Sequence, residues 1–166
     1  MSLLMPTISI DNVTDIDIKL LKSLNVESIL LDVDNTLASH GSQEPFDGVI
    51  EWSYEIRKQN IKIVIISNNF KSRVAPFAKK FNLPFIYLAL KPSPLGFIRA
   101  KKFINCKREN TVVVGDQIFT DILGANLSHM KSILLTPRSE KETLGISVKR
   151  KLEKRIREKI TSNSYK

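Results

Sequence analysis

Two carboxylates, Asp32 and Asp34, stand two residues apart directly after the apolar run Ser28–Leu31. A run of this kind predicts a buried parallel strand, and open α/β sheets bind ligands at the carboxyl ends of such strands. Alternate residues of an extended chain point the same way, so the two carboxylates share one small space, where they repel each other unless a cation or a proton intervenes. An isolated Asp-x-Asp motif in a loop is usually a turn with helix-capping acids. Two carboxylates placed so close together are nevertheless the starting point for a magnesium-dependent phosphotransfer site.

Ser67 and Lys91 follow the next two apolar runs. The serine hydroxyl and backbone amides of Ser67-Asn68-Asn69, at a strand-to-helix turn, suit the oxygens of a phosphate, although in isolation simple capping of the next helix by Ser67 or Asn69 is the favoured explanation. A lysine at position 91 would neutralise charge on a phosphoryl group and on nearby carboxylates, whereas a single loop lysine is normally only solvated.

The segment Gly115-Asp116-Gln117-Ile118-Phe119-Thr120-Asp121 follows a fourth apolar run. Gly115 lets the backbone approach closely, Asp116 stands where it would bind a cation opposite Asp32, and Asp121 lies on the opening turn of the next helix. Both acids would also complement a helix N-terminus without any chemical role. The order along the chain is therefore acid pair, serine, lysine and acid pair, each at one predicted edge of a sheet.

Five β-rich runs alternate with helical patterns, which predicts an α/β fold with a parallel sheet covered on both faces. The predicted strands are Ser28–Asp32, Lys62–Ile66, Phe85–Leu88, Thr111–Val114 and Ser132–Leu135. The predicted helices lie near 14–24, 45–59, 72–81, 94–105, 119–128 and 148–160. We expect one domain over residues 1–146, with 147–166 as a basic amphipathic helix packed on that domain.

Basic residues are concentrated at the end of the chain. Residues 138–166 hold ten basic and four acidic residues, and so +6 of the net charge of +9. No stretch approaches the roughly 20 apolar residues of a membrane span, the first residues do not resemble a signal peptide, and the single Cys106 excludes an intrachain disulfide. These features predict a cytoplasmic protein.

Together the four motifs resemble motifs I to IV of the haloacid dehalogenase-like (HAD) phosphatases, and the YqeG-type branch of subfamily IIIA in particular. The resemblance covers roughly residues 6–160. Its characteristic phrases are Leu31-Asp-Val-Asp-Asn-Thr-Leu37, Ile66-Ser-Asn-Asn69, Pro84-Phe-Ile-Tyr87, Lys91-Pro and Val114-Gly-Asp-Gln-Ile-Phe-Thr-Asp-Ile-Leu-Gly124. It implies a Rossmannoid three-layer fold with a central parallel sheet of about five strands.

The resemblance also implies a role for each motif residue. Asp32 would be the nucleophile that forms an aspartyl-phosphate, and Asp34 the general acid and then the general base. Ser67 and the Asn68 amide would bind the phosphoryl group, and Lys91 would offset charge around it. Mg²⁺ would be held by Asp32, the Asp34 backbone carbonyl and Asp116, while Asp121 would position Lys91 or a water on the metal.

Residues 38–66 and 68–90 leave no room for a cap domain, the insertion that usually shapes substrate choice in HAD enzymes. An open site favours large substrates or substrates presented on a surface. YqeG-type proteins are similar to phosphatidylglycerophosphate phosphatases of phospholipid biosynthesis, so the expected reaction is Mg²⁺-dependent release of phosphate from phosphatidylglycerophosphate, giving phosphatidylglycerol. His40, just beyond the first motif, would touch substrate or, as the simpler interpretation, be solvated.

The last predicted helix places Val148, Leu152, Ile156 and Ile160 four residues apart in a field of positive charge. Packing on the domain and contact of residues 147–160 with an anionic membrane at the inner face are both open alternatives. We do not expect contact with nucleic acid, because no RNA-binding motif accompanies the charge. The alternative functions are a phosphatase of soluble nucleotide or sugar phosphates, and a non-enzymatic RNA- or ribosome-associated binding protein.

Overall fold

Six parallel strands form one sheet in a computed structural model that describes residues 3–138 and 153–160. The spatial order is β1-β6-β5-β2-β3-β4. The strands are β1 (Ile8–Ile10), β2 (Ser28–Leu31), β3 (Lys62–Ile66), β4 (Phe85–Ile86), β5 (Thr111–Gly115) and β6 (Lys131–Leu135). The central strand β2 is buried throughout because both of its faces are covered, which is why its sequence is continuously apolar rather than alternating.

Helices cover both faces of the sheet. One face carries α1 (Ile18–Ser23), α2 (Val49–Lys58) and α3 (Lys71–Phe81), packed on the odd-numbered side chains of β2 and β3. The other face carries α4 (Pro94–Ile104) and α5 (Leu123–Leu127), packed on Leu30, Val64 and Val113. The three-layer α/β architecture is therefore confirmed, and in residues 3–138 no further domain is inserted after β2 or after β3.

The sheet of about five strands that the sequence predicts is completed by a sixth strand at its edge. Strand β1 pairs with β6 at the edge of the sheet, and its three residues are too few to produce a recognisable pattern. The predicted strand Phe85–Leu88 ends at Ile86, since Leu88 has a φ of +45°. The predicted helix 45–59 begins only at Val49, and the predicted helix 119–128 is a π-helical turn (Ile118–Ile122) followed by α5.

Residues 153–160 form a helical segment that lies against the domain. Ile160 is buried with Ile118, Ile122 and Leu134, and Ile156 packs against the same cluster. Residues 147–152 and 161–166 of the predicted terminal helix, and the boundary at 146–147, lie outside the described residues. None of the helices in 3–138 and 153–160 has the length and hydropathy needed to cross a bilayer.

Candidate active site

The four predicted motifs meet at the carboxyl edge of the sheet. Leu31 is level with Ile65 on one side and with Val114 on the other, so β2, β3 and β5 end together. A small cavity of about 190 Å³ opens there between the loops that follow these strands and β4. The cavity is lined by Asp32, Asp34, His40, Ser67, Asn68, Asn69, Lys91, Gln117 and Thr120. Five of the seven predicted site residues therefore line one cavity, and Asp116 and Asp121 are buried beside it.

Lys91 connects the first and fourth motifs. Its Nζ donates hydrogen bonds to Asp32 Oδ1 and to Asp121 Oδ1, both at 2.6 Å, and all three side chains are buried. Charge-assisted bonds of this length fix the ammonium between the two carboxylates. The Asn68 side chain aligns the lysine from the other side, because it donates to the Lys91 carbonyl and accepts from the Lys91 amide at 3.0 and 2.7 Å.

Three carboxylates converge below the cavity. One oxygen from each of Asp32, Asp116 and Asp121 lies within 4.8 Å of the other two. Burial raises the pKa of Asp32 well above its usual range; Lys91 opposes this shift, whereas Asp121 and Asp116 add to it. For Lys91 itself, burial lowers the pKa, but the attraction of Asp121 and Asp32 outweighs burial and raises it. The Lys91 ammonium therefore stays charged between the carboxylates of Asp32 and Asp121.

Asp34 is held by donors that the sequence analysis did not assign to it. Its Oδ2 accepts from the Asn69 side chain at 2.8 Å, and its Oδ1 accepts from the Gly41 amide at 2.9 Å and from Arg73 Nη2 at 3.2 Å. His40 Nδ1 lies 3.9 Å from the same Oδ1. Arg73 lies on the opening turn of α3, and its position in the sequence alone does not identify Asp34 as its partner.

Ser67 lines the cavity and also makes a local contact in the turn that follows β3. Its side chain is buried at the end of β3, and its Oγ accepts a hydrogen bond from the Asn69 amide at 3.2 Å. This bond is the local turn contact that a serine before a helix commonly makes. The hydroxyl nevertheless lines the cavity beside Asp32 and Lys91, so its oxygen can also donate to a group bound there.

The terminal helical segment supports the loop that carries the fourth motif. Glu153 Oε1 accepts hydrogen bonds from the amides of Ile118 and Phe119 at 2.9 and 3.4 Å. Arg157 donates to the backbone carbonyls of Asp116 and, at 3.2 Å, of Leu135. The sequence analysis missed both residues because it assigned the basic segment to packing or to surface contacts, and nothing local links positions 35 to 41 residues apart.

Comparisons with known proteins agree with this geometry. A family model described as haloacid dehalogenase-like hydrolase matches residues 14–129. The chain is 36% identical over 152 residues to the probable phosphatase YqeG of Bacillus subtilis (strain 168), an alignment that covers 92% of this chain and 88% of that protein.

Solved structures show the same fold at low sequence identity. An uncharacterized protein from Listeria monocytogenes serotype 4b aligns with a TM-score of 0.58 at 15% identity, over 71% of this chain and 85% of that one. The cobalt-bound deoxy-D-mannose-octulosonate 8-phosphate phosphatase from Haemophilus influenzae aligns with a TM-score of 0.53 at 13% identity, over 69% and 70% of the two chains.

Proposed function

The chain belongs to the haloacid dehalogenase-like hydrolases and is a phosphoric monoester hydrolase, and from that premise we propose that it acts through an aspartyl-phosphate formed on Asp32. The observation that carries the proposal is the position of this carboxylate. Asp32 follows the central strand, lines the cavity and is bonded to Lys91 at 2.6 Å. A fixed anion at the floor of a small polar cavity suits attack on phosphorus better than proton transfer alone.

A divalent cation fits the donors at this site. The carboxylates of Asp32, Asp116 and Asp121 come within 4.8 Å of one another, and the Lys91 ammonium is bonded to two of them, Asp32 and Asp121. These four groups carry a net charge of −2 when ionised, which one divalent ion would balance. Carboxylate and carbonyl oxygens are the ligands Mg²⁺ prefers. We assign Asp32, Asp116 and the Asp34 backbone carbonyl as its ligands, where the ion would orient the phosphate and offset its charge.

The protein side chains divide the reaction into two displacements. In the first, the Asp32 carboxylate attacks phosphorus, the bond from phosphorus to the ester oxygen breaks, and the Asp34 carboxyl gives its proton to that oxygen. In the second, Asp34 takes a proton from water, which attacks phosphorus and releases inorganic phosphate and free Asp32. The donors on both Asp34 oxygens hold this carboxyl in one orientation for both steps.

Ser67, Asn68 and Lys91 would bind the transferring phosphoryl group. Charge spreads over the phosphoryl oxygens in the transition state, so catalysis depends mainly on positioned donors and cations. The Ser67 hydroxyl and the Lys91 ammonium line the same cavity as Asp32. Asp121 would act through Lys91, because its Oδ1 holds the ammonium at 2.6 Å.

For the substrate we propose phosphatidylglycerophosphate, converted to phosphatidylglycerol. The open cavity supports a headgroup presented at a surface, because residues 3–138 contain no inserted domain that would close over it. A soluble nucleotide or sugar phosphate is the alternative substrate. The buried acid cluster and the phosphatase relative favour an enzyme over the RNA-binding alternative.

The test is phosphate release from phosphatidylglycerophosphate in mixed detergent micelles with Mg²⁺. Asp32→Asn serves as the blank, and Asp47→Asn, which makes the same change at an exposed acid outside the cavity, serves as the matched control. Mg²⁺-dependent release by the wild type and the control, lost in Asp32→Asn, would support the mechanism and the substrate. Turnover of an aryl phosphate without release from the lipid would discard the lipid substrate only. Full activity of Asp32→Asn would refute the nucleophile.

A further inference from the structure

Half of the exposed large apolar side chains of the described residues come from one short segment of the chain. Ten large hydrophobic residues are exposed, and five of them fall within residues 88–103. Leu95, Ile98 and Phe103, which we call the α4 face, are 59%, 43% and 65% exposed along one side of that helix. Isolated exposed hydrophobics are ordinary, but a contiguous group indicates an interaction surface.

The same surface continues to the mouth of the cavity. Phe70, Leu88 and Leu90, which we call the apolar rim, are exposed by 70%, 37% and 61%. Phe70 and Leu90 are chain neighbours of cavity-lining residues, and the Leu88 amide bonds to the Asn69 carbonyl at 3.0 Å, so the two loops run side by side. Leu88 and Leu90 have φ values of +45° and +56°, a conformation that is uncommon for bulky residues and therefore indicates a local requirement.

The segment that contains α4 is rich in basic residues and lacks acidic ones. Residues 91–107 contain five lysines and arginines and neither aspartate nor glutamate. A cavity of about 320 Å³ between α4 and α5 is lined by Ile98, Leu127 and Met130 together with Lys101, Lys102 and Arg108. None of its lining residues in the described part of the chain is acidic. Mixed aliphatic and cationic side chains match the interface of an anionic bilayer, where apolar burial and attraction to lipid phosphates add together.

The terminal segment does not provide such a surface in its described part. Ile156 and Ile160, half of the apolar stripe that the sequence offered for membrane contact, pack on the domain beside Ile118 and Leu134. Val148 and Leu152 lie outside the described residues. The α4 face, by contrast, is exposed and directly adjoins the loop of Lys91.

We propose that the α4 face and the apolar rim dock onto an anionic lipid bilayer and present the cavity to phosphate headgroups at its surface. The proposal deepens the proposed lipid substrate: the presentation of the cavity to headgroups rests on that proposed function, whereas the docking itself is tested independently of it. A second copy of the chain fits less well, because like-charged faces would repel each other. RNA also fits less well, because four of the six side chains, those of Leu88, Leu90, Leu95 and Ile98, are aliphatic and offer no ring on which the bases of single-stranded RNA could stack.

The test is sedimentation of the full chain with vesicles of equimolar phosphatidylglycerol and phosphatidylcholine. The docking variant is Leu95→Glu/Phe103→Glu. The matched control is Ile50→Glu/Tyr54→Glu, which makes the same changes at exposed residues of α2 on the opposite face. We expect the wild type and the control to sediment and the docking variant to bind at least about tenfold more weakly, since it loses buried apolar area and gains two anions. Lys101→Gln and Lys102→Gln should each weaken binding about fivefold.

Two further readouts separate the docking surface from the proposed function. All variants should hydrolyse a soluble aryl phosphate at the wild-type rate, because none of the changed residues lines the catalytic cavity. If phosphatidylglycerophosphate is not hydrolysed in detergent micelles but the vesicle results hold, the substrate fails and the docking surface stands.

Three results would overturn the docking surface itself. One is a wild type that does not sediment with anionic vesicles, and another is a docking variant that sediments as well as the control. The third is a wild type that forms dimers in sedimentation velocity while the docking variant is monomeric, because a second copy would then occupy the face.

Discussion

Replacing Glu153 tests whether the terminal helical segment is part of the active site. Glu153 is 2% exposed, and its Oε1 accepts from the amides of Ile118 at 2.9 Å and Phe119 at 3.4 Å. A hydrogen bond to a charged group contributes about 1.5–3 kcal/mol, and the longer of these two bonds contributes less. Glu153→Ala should therefore lower the free energy of unfolding by about 2–4 kcal/mol. Glu153→Gln, which keeps an acceptor oxygen, should lower it by about 1 kcal/mol.

The same change should weaken metal activation, because the two amides lie between the acids of the fourth motif. Without an acceptor for these amides, the backbone between Asp116 and Asp121 is no longer fixed beneath the cavity. Loss of groups that orient metal ligands typically lowers metal affinity or activity by about 10–100-fold. We expect the half-saturating Mg²⁺ concentration for aryl phosphate hydrolysis to rise within that range in Glu153→Ala, and Glu153→Gln to restore most of it.

Glu158→Ala is the matched control, since it removes an exposed acid from the same helical segment. Urea unfolding followed by circular dichroism, and Mg²⁺ titration of the initial rate, should leave this control close to the wild type. If Glu153→Ala unfolds at the wild-type urea concentration, the two hydrogen bonds do not stabilise the loop. If it is destabilised but has an unchanged Mg²⁺ dependence, the terminal segment stabilises the fold without positioning the site.

Three further predictions concern the site itself. Lys91→Met removes the ammonium shared by two carboxylates, so kcat on an aryl phosphate should fall about 10²–10³-fold at saturating Mg²⁺; wild-type kcat in a folded variant would refute this role. Asp34→Asn should slow the first displacement, followed as pre-steady-state release of the leaving group, about 10²–10⁴-fold for an alkyl phosphate and far less for an aryl phosphate, because the better leaving group needs no proton. Loss of the base in the second displacement affects both substrates alike, so equal losses in the first displacement would argue against a general acid. Burial raises the pKa of Asp32, against Lys91 and together with Asp121 and Asp116, so the metal-free native state binds more protons than the unfolded chain. The stability that this bound proton adds is complete below pH about 4 and is lost as pH rises through the folded pKa. The free energy of unfolding, measured by urea titration in EDTA, should therefore fall with pH over that range, and Asp32→Asn should weaken this pH dependence.

The sequence predicted well which residues meet at the carboxyl edge of the sheet, because each of them is marked by the apolar run directly before it. Each motif follows an apolar run, and parallel strands bring their carboxyl ends together whatever lies between them in the chain. The cavity beside Asp32, Ser67 and Lys91 therefore followed from motif order alone. Strand β1 was missed because its pairing with β6 joins residues 125 apart in the chain, and three residues carry too little pattern to reveal it.

The sequence could not predict the hydrogen bonds and ion pairs that join side chains from distant parts of the chain at the site. Nothing in the local pattern indicates that Arg73 reaches Asp34, because α3 places the guanidinium there only after the strands have paired. The same holds for Glu153, which is buried although it stands in a highly charged segment. Charged residues are rarely buried unless they are paired, so the composition of the terminal segment gave no indication that Glu153 is buried.

Gly115 shows how a packing requirement and a chemical requirement coincide at this site. A Cβ added there would overlap the carboxylate and the Cβ of Asp121, so the glycine leaves room for an acid rather than for a ligand. The Gln117 amide donates to Asp121 Oδ2 at 3.1 Å, which leaves Oδ1 to hold Lys91 at 2.6 Å. A side chain at position 115 would therefore disturb Lys91 without touching it. The glycine, the acid and the lysine act as one unit, and the position of the ammonium beside Asp32 depends on all three.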